Sequence, residues 1–283
     1  MVNFNGKLLP ENAFFLNHEN RGLRYGDSLF ETLRAVDGQI LLWEDHYLRL
    51  MASMRILRME IPMEFTMEFL EAEILKTIHA DPSTKNWRVR FTVFRNNGGL
   101  YLPKSNAVSY VVECKELTSP FYVLEEKSIV VELFKDFYVN AGLLSTLKTS
   151  HRLINVTGSI YAQENGYDNC LLLNQNKMVV EALNGNIFLV QGTTIKTPPL
   201  SDGCLNGIIR KKLLEIIGNL NHYSLEEVSI SPFELQKSDE LFITNSISGI
   251  VSVTKYRKKE YTAQVARDLV GKLNAVIRLG AVD

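Results

Sequence analysis

Apolar residues along this chain repeat with two different periods, one typical of β-strands and one typical of α-helices. Segments of the two kinds follow one another in an irregular order. Phe30–Val36 and Gln39–Leu42 flank Asp37-Gly38, a pair that favours the positive φ angles of a tight hairpin. From Glu44 to Met59 the spacing changes to three and four residues, which predicts a helix. Because strands and helices mix without regular alternation, the sequence predicts an α+β fold rather than a doubly wound parallel sheet.

The remaining pattern continues this mixture in two parts. A polar, proline-containing segment, residues 115–127, separates them. We therefore expect two α+β domains, residues 1–119 and 120–283, each large enough to bury a core. Further strands are predicted over 88–94, 108–113, 128–133, 169–174, 178–181, 187–190 and 241–244, and further helices over 63–78, 150–165, 207–217 and 263–278.

Composition excludes several classes of protein. The 283 residues are 46% hydrophobic, and 31 basic against 32 acidic side chains give a net charge of -1. A disordered chain or one built to bind nucleic acid has a different balance, and no apolar run reaches the ~20 residues of a membrane span. The three cysteines lie far apart and the five histidines lack metal-ligand spacing, so we expect a cytoplasmic protein without a metal site.

Common nucleotide and hydrolase motifs are absent from the sequence. There is no G-x-x-x-x-G-K-[ST], no G-x-G-x-x-G after a strand and no G-x-S-x-G, which argues against standard nucleotide cradles and serine hydrolases. A phosphate can still bind at a helix N-terminus, which needs no fixed motif.

Lys148 is the first candidate for chemistry. It follows a small, polar stretch and precedes the apolar-periodic helix predicted from Ser150. A helix N-terminus and partial burial would lower the pKa of the amine and make it nucleophilic. The alternative is an ordinary solvated lysine near a helix start.

Glu181 ends an apolar strand before the turn Asn184-Gly185-Asn186. A carboxylate there could accept a protonated ring nitrogen of a pyridine cofactor. The alternative is a charged residue on the wet face of a strand.

Three further positions could hold an anion. The loop Thr197–Asn206 leads into a helix whose first amides, on Gly207, Ile208 and Ile209, would be unpaired. Arg49 borders the buried side of its helix, and Ser246 follows a strand. The alternatives are an ordinary loop, a surface arginine and a turn residue.

Six segments in this order resemble the class IV (fold type IV) pyridoxal-phosphate enzymes, which include branched-chain aminotransferase, D-amino acid aminotransferase and aminodeoxychorismate lyase. The resemblance implies a two-domain α+β fold, pyridoxal 5'-phosphate as cofactor, a small-molecule amino substrate and a homodimer. The matching segments are RGLRYGDSLFETLR (21–34), HYLRL (46–50), LKTSHRL (147–153), VEALNGNIF (180–188), LNGIIR (205–210) and DELFITNS (239–246).

The resemblance also implies roles for individual residues. Lys148 matches the lysine joined covalently to the cofactor, and Glu181 matches the carboxylate paired with the pyridine nitrogen. The phosphate would be held by residues on both halves of the chain: Arg49, the amides of Ile208 and Ile209, Asn245 and Ser246. Many transaminases have threonine where Ile209 stands, so one side-chain bond to the phosphate is lost while backbone donation remains.

Three residues are candidates for contact with the substrate. Arg90 lies in a strand that matches a substrate-facing region of the family, and it would bind a carboxylate unless it forms a cross-strand salt bridge. Phe30 and Tyr101 would line the pocket, or they are core aromatics.

Details of the motifs favour the lyase within this family. Branched-chain aminotransferases usually have an Asn-Tyr pair where this chain has Arg152-Leu153, which is similar to the lyase pattern apart from His151. Asn245 and the apolar Ile209 are also lyase-like, and residues 95–103 lack the Arg-x-His of the D-amino acid enzyme. A branched-chain transaminase and a non-catalytic binding module remain the alternatives.

Overall fold

The first part of the chain forms an antiparallel sheet with helices packed on one face. In the computed structural model, which describes residues 1–81 and 83–279, the strands run in the order β2-β1-β6-β5-β3-β4. The elements are β1 (Val2–Phe4), β2 (Lys7–Leu9), α1 (Arg21–Tyr25), β3 (Ser28–Val36), β4 (Gln39–Ile40), α2 (Trp43–Ile56), α3 (Met67–His79), β5 (Asn86–Arg95) and β6 (Val108–Glu116).

The predicted hairpin is confirmed. Val36 of β3 pairs with Gln39 of β4, and the two residues between them, Asp37 and Gly38, have φ angles of 50° and 79°. Two consecutive positive φ angles match the right-handed twist of the paired strands. The hairpin leads directly into α2.

The two faces of this sheet differ in chemistry. Side chains alternate between the faces of a strand. One face carries Leu29, Leu33, Val89, Phe91 and Val93, each at most 1% exposed, and α2 and α3 pack against the sheet. The opposite side is called here the polar face; it carries Phe30, Thr32 and Arg34 of β3 and Arg88, Arg90 and Thr92 of β5.

The second part of the chain forms a larger mixed sheet. Its strands run β12-β11-β10-β9-β8-β7-β15-β16, and β13 pairs with both β10 and β14. The elements are β7 (Val130–Val139), α4 (Leu153–Glu164), β8 (Asn169–Asn174), β9 (Val179–Ala182), β10 (Gly185–Gln191), β11 (Thr194–Thr197), α5 (Ile208–Gly218), β12 (Ser224–Glu227), β13 (Glu240–Asn245), β14 (Gly249–Val253), β15 (Lys255–Tyr256), β16 (Lys259–Glu260) and α6 (Gln264–Leu279).

Contacts along the chain group its residues into two units. The first unit is Met1–Pro120 together with Lys148–His151, and the second is Phe121–Leu147 together with the residues from Arg152 onwards. The short segment Lys148–His151 therefore belongs with the first unit, which the predicted division into 1–119 and 120–283 did not foresee. That division stays a prediction.

Two helix starts differ from the prediction, for local reasons. α3 begins at Met67 rather than Met63, because Thr66 caps it by accepting a hydrogen bond from the Phe69 amide at 3.2 Å. α4 begins at Leu153 rather than Ser150, since Ser150 donates its amide to the Ser28 carbonyl at 3.0 Å. Lys148 therefore lies in an extended segment that precedes the helix in the chain, and the predicted effect of the helix N-terminus on the pKa of its amine stays a prediction.

The described residues contain neither a helix suited to a membrane span nor a side-chain cluster suited to a metal ion. None of the helices there combines the length and the apolar character that crossing a membrane requires. In the same residues no group of three or more His, Cys, Asp or Glu side chains is arranged to hold a metal ion.

Candidate active site

Lys148 is held against strand β3 by its own backbone. Its carbonyl accepts the Phe30 amide at 2.9 Å, and the next residue, Thr149, forms an antiparallel bridge with Leu29. The Lys148 Nζ lies 4.6 Å from the centre of the Phe30 ring. A half-buried amine is thereby fixed on the polar face of the first sheet, which is not the environment of an ordinary solvated lysine.

Arg90 contacts the same aromatic ring. Its guanidinium carbon lies 3.8 Å from the centre of the Phe30 ring, and its Nε donates to Thr92 Oγ1 at 3.2 Å. The Nε is also 3.9 Å from a carboxylate oxygen of Glu113 on the neighbouring strand. Arg90 therefore forms a cross-strand ion pair with Glu113, which was the alternative to substrate binding. Its guanidinium group also stacks on Phe30, so Arg90 and Lys148 contact the same ring.

The side chain of Arg49, from α2, is buried on the side of strand β3 that the helices cover. Its Nε donates to Glu31 Oε1 at 2.8 Å and its Nη2 donates to Glu31 Oε2. His46 Nδ1 lies 2.7 Å from the same Oε2. The side chain of Arg49 is 9% exposed, so the alternative of a surface arginine is wrong; its predicted contact with a phosphate stays a prediction.

The charges of Glu31, His46 and Arg49 strongly influence one another. Burial alone would raise the pKa of Glu31, but the charge of Arg49 and the hydrogen bonds from His46 and Arg49 outweigh it and lower the pKa to about 2. Burial lowers the pKa of His46, the hydrogen bond and charge of Glu31 oppose that shift, and the charges of Arg49 and Lys148 add to it. We therefore expect neutral His46 beside an ionised Glu31.

Tyr101 is neither buried nor part of a core. It is 90% exposed in a loop whose carbonyls, those of Gly98 and Tyr101 among them, accept hydrogen bonds from the buried Arg21 at 3.2 and 3.3 Å. Its ring packs against Tyr25 with the ring centres 5.7 Å apart. The core-aromatic alternative is wrong for Tyr101, and its contact with substrate stays a prediction.

Glu181 is buried in the second unit. It is 6% exposed, and its Oε2 accepts the Leu205 amide at 2.9 Å. Asn186, its partner across β9 and β10, donates its side-chain amide to the Leu205 carbonyl at 2.8 Å. The wet-face alternative for Glu181 is wrong, because this carboxylate holds the loop that leads into α5.

The start of α5 follows directly from that loop. Gly207 is the residue before the helix, and Lys211 donates its amide to the Gly207 carbonyl at 2.9 Å. The amides of Ile208 and Ile209 therefore lie in the first helical turn. Amides in this turn have no hydrogen-bond acceptor within the helix itself. The Gly207 amide was predicted to be unpaired, but this is wrong, since it donates to the Leu205 carbonyl at 2.9 Å.

Gly207 is required by a close approach. A Cβ at this position would lie 2.0 Å from Asn186 Oδ1, far inside van der Waals contact. Because glycine has no side chain, the backbone before α5 can lie directly against Asn186. Asn186 of β10 is in turn the strand partner of Glu181 in β9 and of Thr244 in β13.

Asn245 and Ser246 lie at the end of β13, one and two residues beyond Thr244. The Asn245 Oδ1 accepts the amides of Ile247 and Ser248 at 3.0 and 2.8 Å, which shapes the turn. The Ser246 carbonyl accepts the Tyr122 hydroxyl at 2.9 Å. Glu181, the α5 start and this turn thus share one region of the second sheet.

The sequence analysis did not identify three residues that position the candidate site, namely Glu31, His46 and Asn186. Glu31 and His46 fix Arg49, and Asn186 fixes the loop before α5. Glu31 had a detectable signal, because it alternates with Leu29 and Leu33 on the apolar side of β3, where a carboxylate needs a buried partner. Asn186 had no signal beyond its position in a turn.

Comparisons with known proteins decide the family. A family model described as amino-transferase class IV matches residues 28–256 of this chain. A protein of Methanocaldococcus jannaschii assigned as a branched-chain-amino-acid aminotransferase is 30% identical over 255 residues, which cover 89% of this chain and 86% of the relative. The chain belongs to the class IV aminotransferase family. It is therefore a pyridoxal-phosphate-dependent enzyme.

Two further comparisons extend this result. Aminodeoxychorismate lyase of Vibrio harveyi is 23% identical over 263 residues, covering 90% of this chain and 94% of the relative. The crystal structure of a branched-chain aminotransferase from Thermoproteus uzoniensis with norvaline matches with a TM-score of 0.85 at 24% identity, covering 99% of this chain and 94% of that one. The predicted two-domain α+β fold of type IV is confirmed.

The residues present in each unit fit the cofactor of this family. The first unit offers the half-buried amine of Lys148. The second offers the buried carboxylate of Glu181, suited to a protonated ring nitrogen, and the amides of Ile208 and Ile209, suited to a phosphate. Each of these groups has the charge or polarity that its assigned part of pyridoxal phosphate requires.

Proposed function

We propose that this chain is a lyase that converts 4-amino-4-deoxychorismate into 4-aminobenzoate and pyruvate, with Lys148 as the residue bonded to pyridoxal phosphate. The observation that carries the proposal is the placement of Lys148, whose backbone pairs with β3 and whose Nζ shares the Phe30 ring with Arg90. An amine fixed beside an arginine suits an amino substrate that carries a carboxylate.

The cofactor would be held by the residues that the family resemblance assigns to it. Arg49, the amides of Ile208 and Ile209, and the turn Asn245-Ser246 would bind its phosphate. Glu181 would keep the pyridine nitrogen protonated. When bound, the cofactor supplies an electron sink for the bond that breaks at the substrate carbon bearing the amino group.

The chemical task of Lys148 is proton transfer. Its Nζ would remove the proton from the substrate carbon next to the nitrogen, for which the amine must be neutral at that moment. Arg90 would orient a substrate carboxylate, and Phe30 would pack against the substrate ring. The C–O bond between the ring and the enolpyruvyl group then breaks, the released enolpyruvate takes up a proton to become pyruvate, and the remaining ring becomes aromatic, which drives the cleavage.

Residues after Lys148 support the lyase over a transaminase. Arg152 and Leu153 stand where branched-chain aminotransferases usually have Asn-Tyr, and Arg152 donates to the Leu147 carbonyl at 2.8 Å. Ile209 and Asn245 follow the lyase pattern as well. The Vibrio harveyi relative, named as the lyase, matches 90% of this chain.

A branched-chain-type transaminase is the second candidate. It is favoured by the 30% identity to the Methanocaldococcus jannaschii protein. In that case Lys148 would make the same proton transfer, and the bound cofactor would supply the chemistry by which the amino group reaches a 2-oxo acid. The alternative of a non-catalytic binding module does not agree with the family assignment, and it has no use for a buried Glu181 and a fixed Lys148.

Separate incubations distinguish these functions. We expect the purified, cofactor-saturated protein to release pyruvate and 4-aminobenzoate in equal amounts from 4-amino-4-deoxychorismate. We expect no exchange between branched-chain amino acids and 2-oxoglutarate. Turnover of the amino acid pair alone would replace the lyase with the transaminase, and absence of both reactions in protein that carries bound cofactor would contradict both proposals.

We also propose that the enzyme is a homodimer. The loop held by Arg21 exposes Leu100 and Leu102 at 74 and 84%, and Leu23 of α1 is 75% exposed. Apolar surface of this kind favours association. Sedimentation equilibrium should give twice the chain mass of 32.2 kDa; a single chain mass at micromolar concentration would contradict the proposal.

We place the protein in the cytoplasm. Cys114, Cys170 and Cys204 are all free thiols, as expected for a reducing compartment. Burial raises the pKa of both Cys170 and Cys204, to about 11 and about 12, which keeps these thiols protonated and unreactive.

A further inference from the structure

Tyr122 is a buried residue in a segment whose neighbouring side chains are exposed. It lies between β6 and β7 in the chain, where the backbone has no regular secondary structure. Tyr122 is 4% exposed, whereas Phe121 and Val123 on either side of it are exposed. A tyrosine that is buried to this extent normally finds a hydrogen-bond partner for its hydroxyl. The burial of Tyr122 therefore points to a specific contact.

The backbone of Tyr122 is fixed to helix α6. Its amide donates to Asn274 Oδ1 at 3.0 Å, and its carbonyl accepts a hydrogen bond from Asn274 Nδ2 at 2.8 Å. The side-chain amide of Asn274 thus satisfies both backbone groups of Tyr122, as a neighbouring strand would. Displacing the backbone of Tyr122 would break both hydrogen bonds, so its side chain extends from a fixed position.

The side chain of Tyr122 packs against the turn that joins β13 to β14. This turn, residues 245–249, is called here the β13–β14 turn. The Tyr122 hydroxyl donates to the Ser246 carbonyl at 2.9 Å. At the other end of the turn Gly249 has a φ of 69°, and a Cβ there would lie 2.6 Å from atoms of the Tyr122 ring. Both the conformation and the close approach of the ring therefore require glycine at this position.

One peptide unit of the β13–β14 turn is held at both of its polar groups. The carbonyl of Ser246 accepts the Tyr122 hydroxyl, and the amide of the same peptide, which belongs to Ile247, donates to Asn245 Oδ1 at 3.0 Å. Because a peptide unit is planar, two hydrogen bonds on its opposite sides fix its orientation. The Tyr122 hydroxyl thereby helps to set the conformation of Ser246.

We propose that Tyr122 is a positioning residue for the cofactor: it holds the β13–β14 turn in the conformation that binds the phosphate. This inference rests on the proposed function, in which Asn245 and Ser246 bind that phosphate. A turn that is already ordered loses less conformational freedom on binding than a mobile one, so it binds the same group more tightly. Tyr122 acts through Ser246 and not by its own contact with the phosphate.

Two ligands that differ only in the phosphate test this inference without turnover. The full-length protein, freed of cofactor, is titrated with pyridoxal 5'-phosphate and separately with pyridoxal, and absorbance gives the dissociation constants. Tyr122→Phe removes the hydroxyl but keeps the ring over Gly249. We expect it to weaken binding of pyridoxal 5'-phosphate roughly 3- to 10-fold, the effect of one lost hydrogen bond. Binding of pyridoxal should change by less than about 2-fold.

Tyr261→Phe is a matched control for the loss of a hydroxyl. The Tyr261 hydroxyl donates to the Leu235 carbonyl at 2.6 Å, also in the second unit. Each variant loses one hydrogen bond from a tyrosine hydroxyl to a backbone carbonyl, so both should lower the thermal unfolding midpoint by a similar amount, about 2 to 4 °C. Only Tyr122→Phe should weaken the binding of pyridoxal 5'-phosphate. Equal weakening by the two variants would assign Tyr122 a role in stability alone and overturn the inference.

Ser246→Ala distinguishes failure of the inference from failure of the proposed phosphate site. We expect Ser246→Ala to weaken pyridoxal 5'-phosphate, and Tyr122→Phe to have a smaller effect when added to it than when made alone, because the two residues act as one unit. Fully additive effects, or no effect of Tyr122→Phe where Ser246→Ala weakens binding, would overturn the inference. An equal loss for both ligands in Tyr122→Phe would overturn it as well. No effect of Ser246→Ala would contradict the proposed phosphate site itself.

Discussion

Lys148→Ala is expected to abolish turnover, with a fall of at least about 10³-fold in rate, because it removes both the covalent attachment of the cofactor and the group that moves the proton. The absorption band near the visible edge that belongs to the bonded cofactor should disappear. Lys148→Arg should be equally inactive, since a guanidinium stays protonated and cannot act as the nucleophile or base. Steady-state kinetics and an absorption spectrum of each variant check these results.

A matched control and a stability measurement complete this experiment. Lys85→Ala removes a lysine that is 82% exposed at its side chain and should leave turnover and spectrum unchanged. Thermal unfolding of Lys148→Ala should show a folded protein. Retention of more than about a tenth of the parent rate, or of the absorption band, would contradict the role given to Lys148.

Glu31→Gln should produce the largest loss of stability. The pKa of Glu31 is lowered to about 2 because the charge and hydrogen bonds of Arg49 and His46 outweigh burial. Against an ordinary value of 4.5, this corresponds to about 3 kcal/mol of unfolding free energy at pH 7. Urea unfolding should show a loss of that order, since the substitution leaves Arg49 buried without its counter-charge.

The loss should depend on pH in a defined direction. A carboxylate whose pKa is lowered by folding stabilises the fold above its unfolded pKa, and this contribution disappears as the pH falls towards the folded value. The difference between Glu31→Gln and the parent should therefore be complete above pH 4.5 and shrink towards pH 2. Glu60→Gln, the same change at an exposed site, should cost little at any pH. A pH-independent difference would show that packing and not charge explains the effect.

Much of the first sheet could be predicted from local sequence. The Asp37-Gly38 hairpin followed from the preference of these residues for positive φ, which depends on no distant contact. The burial of Glu181 did not follow, because a single charged residue in an apolar strand fits a wet face as well as a buried one. Only the Leu205 loop, 24 residues later, shows that the carboxylate has a buried partner.

The segment around Lys148 shows why the rest could not be predicted. Local periodicity predicted a helix from Ser150, but residues 148–150 pair with β3, more than 100 positions earlier in the chain. Contacts between residues so far apart in the chain produce no hydrophobic pattern in the sequence of the segment itself. The resemblance to a known family identified Lys148, Arg49 and Glu181, whereas the Glu31 and His46 contacts that position Arg49 required the structure.

Reduction of the purified enzyme with borohydride, followed by peptide mass spectrometry, tests whether the cofactor is bonded to Lys148. We expect one phosphopyridoxyl group per chain, attached to Lys148. Modification of a different lysine, or no modification in protein saturated with pyridoxal phosphate, would contradict it.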